Sequence, residues 1–190
     1  MSIKSKTLGF LYKNVLKPIA FNLDAERVHD VFVDLGERLE NEQRLVSSLF
    51  SYRDDRLKKK LLGIEFANPI GLAAGFDYDG HLSQVVKSMG FGFNTVGTVT
   101  ARPYAGNPKP RLLRLPESGS ILVNKGFKSE GAIAVSQRLD QKHLDGHTIG
   151  VSIGSTNTPE INTINKAIED YLFTFDLFKE KEYVRYFELN

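Results

Sequence analysis

The chain has 190 residues with 25 Lys plus Arg against 23 Asp plus Glu, a formal net charge of +2, and 41% hydrophobic residues. That mixture suits a folded core of about one domain, argues against wholesale disorder, and gives no global pull toward nucleic acid. The chain contains no cysteine, which excludes disulfides, iron–sulfur clusters, thiolate zinc sites and a cysteine nucleophile and fits a reducing compartment.

Residues 1–23 carry Lys4, Lys6, Lys13 and Lys17 and no acid. Leu8, Leu11, Val15 and Ile19 lie three to four apart among them, and Phe10, Leu16, Phe21 and Leu23 widen the apolar face. This predicts a basic amphipathic helix over 7–21, bent or ended by Pro18. Such a helix either lies in a membrane interface or packs on the domain with its lysines solvated. No apolar run reaches the roughly 18 residues of a spanning helix, and the start lacks the apolar block of a secretory signal. Asp24 is a good N-cap for a second helix, in which Val28, Val31, Phe32, Leu35 and Leu39 recur at helical spacing to about residue 40. Leu45, Val46, Leu49 and Phe50 suggest a short third helix, and the charged stretch 53–60 reads as a linker. We therefore expect a helical cap over 1–58 and a second unit over 59–190. His29 sits beside the apolar stripe, where a histidine is more often structural than a ligand.

Beyond residue 60 strands alternate with helices. A small hairpin is predicted at 61–66, strands at 70–74, 94–98, 121–123, 148–153 and 183–189, and helices at 81–89, 129–141 and 160–178. A proline- and glycine-rich excursion occupies 102–116. Short, continuously apolar strands between helices indicate a parallel α/β fold.

In such folds ligands sit at the C-terminal strand ends. Those ends read Ala73-Ala74-Gly75-Phe76-Asp77-Tyr78, Gly97-Thr98-Val99-Thr100, Ser152-Ile153-Gly154-Ser155-Thr156-Asn157 and Asn190. Small residues let a flat ring or a phosphate approach the main chain, and Thr, Ser and Asn supply neutral donors and acceptors. No paired carboxylates, Ser–His–Asp set, HExxH or GxxxxGK[ST] is present, and Gly90-Phe91-Gly92 with Gly97 departs from GxGxxG. A site poor in acid–base groups suits a cofactor that brings its own reactivity. Routine turn chemistry is the rival reading of the same loops.

Asn68-Pro69-Ile70-Gly71-Leu72-Ala73-Ala74-Gly75-Phe76-Asp77, Gly90-Phe91-Gly92-Phe93, Gly97-Thr98-Val99-Thr100 and residues 106–115 (GNPKPRLLRL) resemble the dihydroorotate dehydrogenase family. Residues 21–29 (FNLDAERVH) resemble the membrane-associated, quinone-using class of that family. The resemblance runs from about residue 11 to residue 190. It implies a (β/α)8 barrel with FMN at the strand mouth, under a helical cap lying on the membrane, and the oxidation of dihydroorotate to orotate in pyrimidine (UMP) synthesis. Quinone is the implied acceptor and no nucleic acid or metal is implied. The implied location is peripheral to a membrane on its cytoplasmic face, the inner membrane in a bacterium. A barrel needs about 250 residues, so the part after residue 60 is expected to be its first half. The family's serine base is expected beyond Asn190, leaving no catalytic residue within the chain. A non-catalytic half-barrel and a simple membrane-binding module are the alternatives.

Position by position, the resemblance assigns Ala74, Gly75, Phe76, Asp77, Tyr78, Thr98, Ser152 and Asn190 to FMN. It assigns Tyr78, Asn124, Lys125, Gly126, Phe127, Lys128 and Asn190 to the substrate, and His29 and Arg114 to the quinone. Three departures stand out. Tyr78 occupies the place of a lysine that contacts flavin and orotate, and Ser152 that of a flavin-site asparagine. In the substrate loop, aligned on Gly126-Phe127, Asn124 lies one position late and Lys128 replaces an asparagine. Lys125 or Lys128 is expected to restore the cation that Tyr78 lacks.

Overall fold

The computed structural model describes residues 3–190. Its first helices are α1 (Ile3–Leu11) and α2 (Lys17–Phe21), joined by one π-helical turn, Tyr12–Leu16. The helix does not end at Pro18. The helix widens by one residue just before the proline, where the amide of Lys17 reaches the carbonyl of Tyr12, and then continues to Phe21. Phe10, Leu11, Val15, Leu16 and Ile19 are all exposed, so this apolar face is not packed on the domain.

Helix α3 (Ala25–Arg38) begins at Asp24, whose carboxylate accepts from the amide of Arg27 at 2.8 Å. Helix α4 (Gln43–Phe50) follows. The apolar stripe of α3 divides: Val33 and Leu39 pack inward, whereas Val31, Phe32 and Leu35 face out. Val46 of α4 joins Leu82, Val85 and Val86 in a small core beneath the cap. Gly36 permits that approach, because a Cβ there would come within 2.2 Å of Leu82.

The charged linker holds a single 3-10 turn, Asp55–Leu57, before the hairpin β1 (Lys59–Leu61) and β2 (Ile64–Phe66). A parallel sheet follows in the order β3 (Gly71–Leu72), β4 (Phe93–Val99), β7 (Thr148–Ile153), β8 (Val184–Leu189). Helices α5 (Ser83–Ser88), α6 (Ala132–Asp140) and α7 (Ile164–Phe178) form the connections. The main core is Val96, Val99, Val135, Leu139, Ile149, Val151, Ile153 and Phe178, all inaccessible to solvent. Every residue of β7 is buried, as a central parallel strand requires. Among the described residues β8 pairs only with β7, and α7 turns Ile164, Ile168 and Leu172 to solvent.

Two expectations need correction. The strand at 70–74 pairs only over Gly71–Leu72, because the chain turns at Gly75 with φ of +100°. The excursion at 102–116 is not all loop: Leu112–Leu115 is strand β5, paired antiparallel with β6 (Ser120–Val123) in a hairpin outside the main sheet.

Candidate functional site

The C-terminal ends of β3, β4, β7 and β8 meet at one rim. The amide of Gly75 donates to the carbonyl of Gly97 at 2.7 Å, and the amide of Gly97 donates to the carbonyl of Asp77 at 3.2 Å. The amide of Gly154 donates to Val99, and that of Asn190 to Ile153, each at 3.0 Å. This brings three predicted side chains together. Asn190 Nδ2 donates to Thr98 Oγ1 at 2.8 Å, and Thr98 Oγ1 lies 3.1 Å from Ser152 Oγ. Ser152 is therefore within reach of the same group as Asn190 despite its short side chain.

The loop after β3 presents backbone. Gly75 and Phe76 are exposed, and a Cβ built on Gly75 meets nothing within 4 Å. A flat ring can therefore lie against this main chain, with neutral hydroxyl and amide groups at the neighbouring strand ends. The residues fit FMN on these grounds. Asp77 turns its side chain inward. Its Oδ2 accepts from the amide of Leu82 and from Ser83 Oγ, each at 3.1 Å, while Oδ1 is buried without a partner. Burial raises its pKa, against those hydrogen bonds. Asp77 thus starts α5 and offers the rim its main chain alone.

Tyr78, half-buried, gathers the second predicted group. The His29 ring stacks on it at 5.5 Å and 11°, and His29 Nε2 lies 2.7 Å from the carbonyl oxygen of Phe76. Lys125 Nζ lies 4.6 Å from the centre of the Tyr78 ring and Lys128 Nζ 5.3 Å, and Lys128 donates to the phenol oxygen at 3.1 Å. Burial raises the phenol's pKa, and Lys128 partly opposes this. Both lysines thus face Tyr78, the position at which the resemblance implied a lysine.

The loop over residues 124–128 is held by an amide cluster. Asn107 Nδ2 donates to Asn124 Oδ1 at 3.0 Å, and Asn107 Oδ1 accepts from Tyr104 Oη at 2.8 Å. The amide of Asn107 donates to the carbonyl of Lys125 at 3.0 Å. Gly126 takes a φ of +69° with Asn107 filling the space a Cβ would need, and Phe127 packs beside Gly154. Arg114 stands apart from the rim. Its Nη1 donates to the carbonyls of Ala20 and Leu23, each at 3.0 Å, and its guanidinium lies over the Phe21 ring. It closes the C-terminal end of α2 and so joins the cap to β5.

A buried ion pair escaped the sequence reading. Arg111 donates from Nη2 to Glu26 Oε1 at 2.6 Å and from Nε to both carboxylate oxygens, with side chains 8% and 4% exposed. Its Nη1 donates to the carbonyls of Ala105 and Asn107. Lys109 adds a second cation 3.3 Å from Glu26. The hydrogen bonds from Arg111, opposed by burial and helped by Lys109, hold the Glu26 carboxyl down at about 2. Residues 106–115 drew notice as a motif, but nothing in their spacing pointed to Glu26.

A cavity of about 670 Å³ opens between α3 and the loop after β3. His29, Phe76, Tyr78 and Lys128 line it together with Asp30, Asp34, Glu37, Asp79 and Glu130, whereas Thr98, Ser152 and Asn190 do not. Asp79, His81 and Glu130 place ligand atoms within 4.8 Å of one another there. Arg138 already donates to Glu130 and to the carbonyl of Asp79, and His81 pairs with Glu37, so these groups already have protein partners.

The family model described as dihydroorotate dehydrogenase matches residues 56–190. A dihydroorotate dehydrogenase (quinone) of Synechococcus sp. strain JA-3-3Ab is 42% identical over 179 residues, 90% of this chain and 46% of the relative. One from Christiangramia forsetii is 39% identical over 185 residues, covering 95% and 52%. Among solved structures, DHODH from Eimeria tenella in complex with ferulenol superposes with a TM-score of 0.73 at 31% identity, over 88% of this chain and 43% of that one. The chain spans about half the length of the curated relatives it matches. Among the described residues no helix is long and apolar enough to cross a membrane.

Proposed function

The chain belongs to the dihydroorotate dehydrogenase family, and on that premise we propose that it supplies the cap and the first half of the FMN-binding barrel of a quinone-dependent dihydroorotate dehydrogenase. Residues 1–58 are the cap and 59–190 the half-barrel. The observation that carries this reading is the rim: exposed main chain at Gly75 with open space above it, beside the linked side chains of Thr98, Ser152 and Asn190. FMN, when bound, supplies the hydride-accepting and quinone-reducing chemistry. Ala74, Gly75, Phe76 and Asp77 hold the ring by backbone contact, and Thr98, Ser152 and Asn190 direct hydrogen bonds to its edge. Tyr78 and residues 124–128 would hold dihydroorotate.

Fluorescence titration of the chain with FMN tests the reading. Quenching of the flavin that is lost in Gly75→Leu, with the circular dichroism unchanged, is expected. Failure to retain FMN under any condition overturns it.

The exposed Phe10, Leu11, Val15 and Ile19, interleaved with Lys13 and Lys17, support peripheral membrane binding by the cap. His29 and Arg114 then stand where the cap meets the barrel, His29 of α3 against the loop after β3 and Arg114 of β5 against the end of α2, as the path of a lipid-soluble quinone requires. Flotation with anionic vesicles that Leu11→Ser and Val15→Ser together abolish is the expected result. Equal flotation of the variant rules out the helical face as the anchor.

A further inference from the structure

We propose that Lys125 and Lys128 form a paired ammonium anchor for the carboxylate of a planar heterocyclic substrate, so that the positive charge of this site enters from the loop after β6 rather than from the loop after β3. The proposal deepens the dihydroorotate reading and rests on it for the identity of the ring.

The geometry is unusual in what it leaves uncompensated. Two ammonium groups stand 4.6 and 5.3 Å from the centre of one phenol ring. Among the described residues neither has a carboxylate within ion-pairing distance. Lys128 has the Tyr78 oxygen, and Lys125 has the face of the ring. The acids whose charge reaches the two lysines, Glu26 and Asp30, stand beyond ion-pairing distance and have nearer partners, Glu26 in Arg111 and Lys109, and Asp30 in His29 at 3.4 Å. Burying like charges side by side is unfavourable unless an anion is supplied. The pair shows that cost, since burial, with Lys128 adding to it, lowers the pKa of Lys125. For Lys128, burial is again the largest influence and pulls the same way, but the Tyr78 hydrogen bond and the charges of Tyr78, Asp30 and Glu26 together raise the pKa.

The position of the pair is held from below. Asn107 donates its amide to the carbonyl of Lys125 and its side chain to Asn124, and Arg111 fixes Asn107 by its carbonyl. On the other side His29 fixes the Tyr78 ring by stacking. The main chain that carries Lys125 and the ring that both lysines face are thus held in place, and a carboxylate held by two ammonium groups gains charge-assisted hydrogen bonds.

The test is affinity for orotate and for uracil, which lacks the carboxylate, measured by calorimetry on the full chain. Lys125→Met, Lys128→Met, the double variant, and the double variant carrying Tyr78→Lys are compared. Protection of both lysines from acetylation by orotate and by benzoate is followed in parallel by mass spectrometry. Orotate affinity is expected to fall roughly tenfold for each methionine, uracil binding to stay unchanged, and Tyr78→Lys to recover most of the loss. Undiminished orotate affinity in the double variant overturns the anchor, as does the absence of protection by either carboxylate, or a loss that Tyr78→Lys does not recover. Protection that persists in a chain retaining no FMN would keep the anchor and count against the flavoenzyme reading alone.

Discussion

His29 Nε2 lies 2.7 Å from the carbonyl oxygen of Phe76, so an imidazole of the cap holds the main chain of the loop that forms the rim. A carbonyl can only accept, so Nε2 carries the proton and donates, leaving Nδ1 facing Asp30 at 3.4 Å. Replacing His29 by Ala removes this bond and the stack on Tyr78. The expected cost is about 1 kcal/mol in denaturant unfolding, with faster hydrogen exchange at Gly75. An unchanged midpoint together with unchanged exchange would show that the cap does not restrain the loop.

Glu26 and Arg111 give a prediction in pH. The folded carboxyl titrates near 2 against an ordinary 4.5. A depressed carboxyl contributes stability that is full above its unfolded pKa and is lost as pH falls toward the folded value. With both side chains nearly inaccessible, the contribution is about 3 kcal/mol at neutral pH, fading between about pH 5 and pH 2. The difference in unfolding free energy between the wild type and Glu26→Gln should therefore shrink across that window. Arg111→Ala, which strands the buried carboxylate, should cost about 3–5 kcal/mol at pH 7.

His147 acts in a higher window. Burial, with the charge of Lys87 in second place, lowers its pKa from 6.5 to about 4, and its Nε2 lies 2.9 Å from Asn94 Oδ1. Here the unfolded chain takes up the proton first, so stability falls as pH drops from 6.5 to about 4, by about 3 kcal/mol in all. His147→Gln should flatten that limb while leaving the lower, Glu26-dependent limb in place. A variant with the wild-type slope between pH 6.5 and 4 would assign the loss to other groups.

Gly97 joins two strand ends at the rim. It adopts a φ of +122°, and a Cβ there would stand 2.5 Å from the carbonyl oxygen of Ser152. Gly146 also has positive φ, at +66°, but open space around it. Gly97→Ala should therefore cost more than Gly146→Ala, which carries the left-handed penalty of about 1 kcal/mol alone. Thermal melts of the two variants side by side measure the difference. Equal melting temperatures would mean that β4 and β7 shift apart without cost.

The parallel units were legible because β4 and β7 are continuous apolar runs between helices of clear period. Strand β5 was not, since Leu112–Leu115 lies between Pro110 and Pro116 and proline density reads as loop. It forms in a two-stranded hairpin, where flanking prolines remove no ladder bond. At the rim, Gly75, Thr98, Ser152 and Asn190 could be read from the strand ends, because turn position and small side chains are local properties. The Glu26–Arg111 pair could not. Its partners are 85 residues apart, and each alone looks like an ordinary surface charge.

The outer margin of β8 leaves its amides and carbonyls facing away from β7, with the apolar side of α7 beside it. Such a margin is a template on which further extended segments can register. A strand that follows β8 in the same sheet would take up those groups and cover the apolar side of α7.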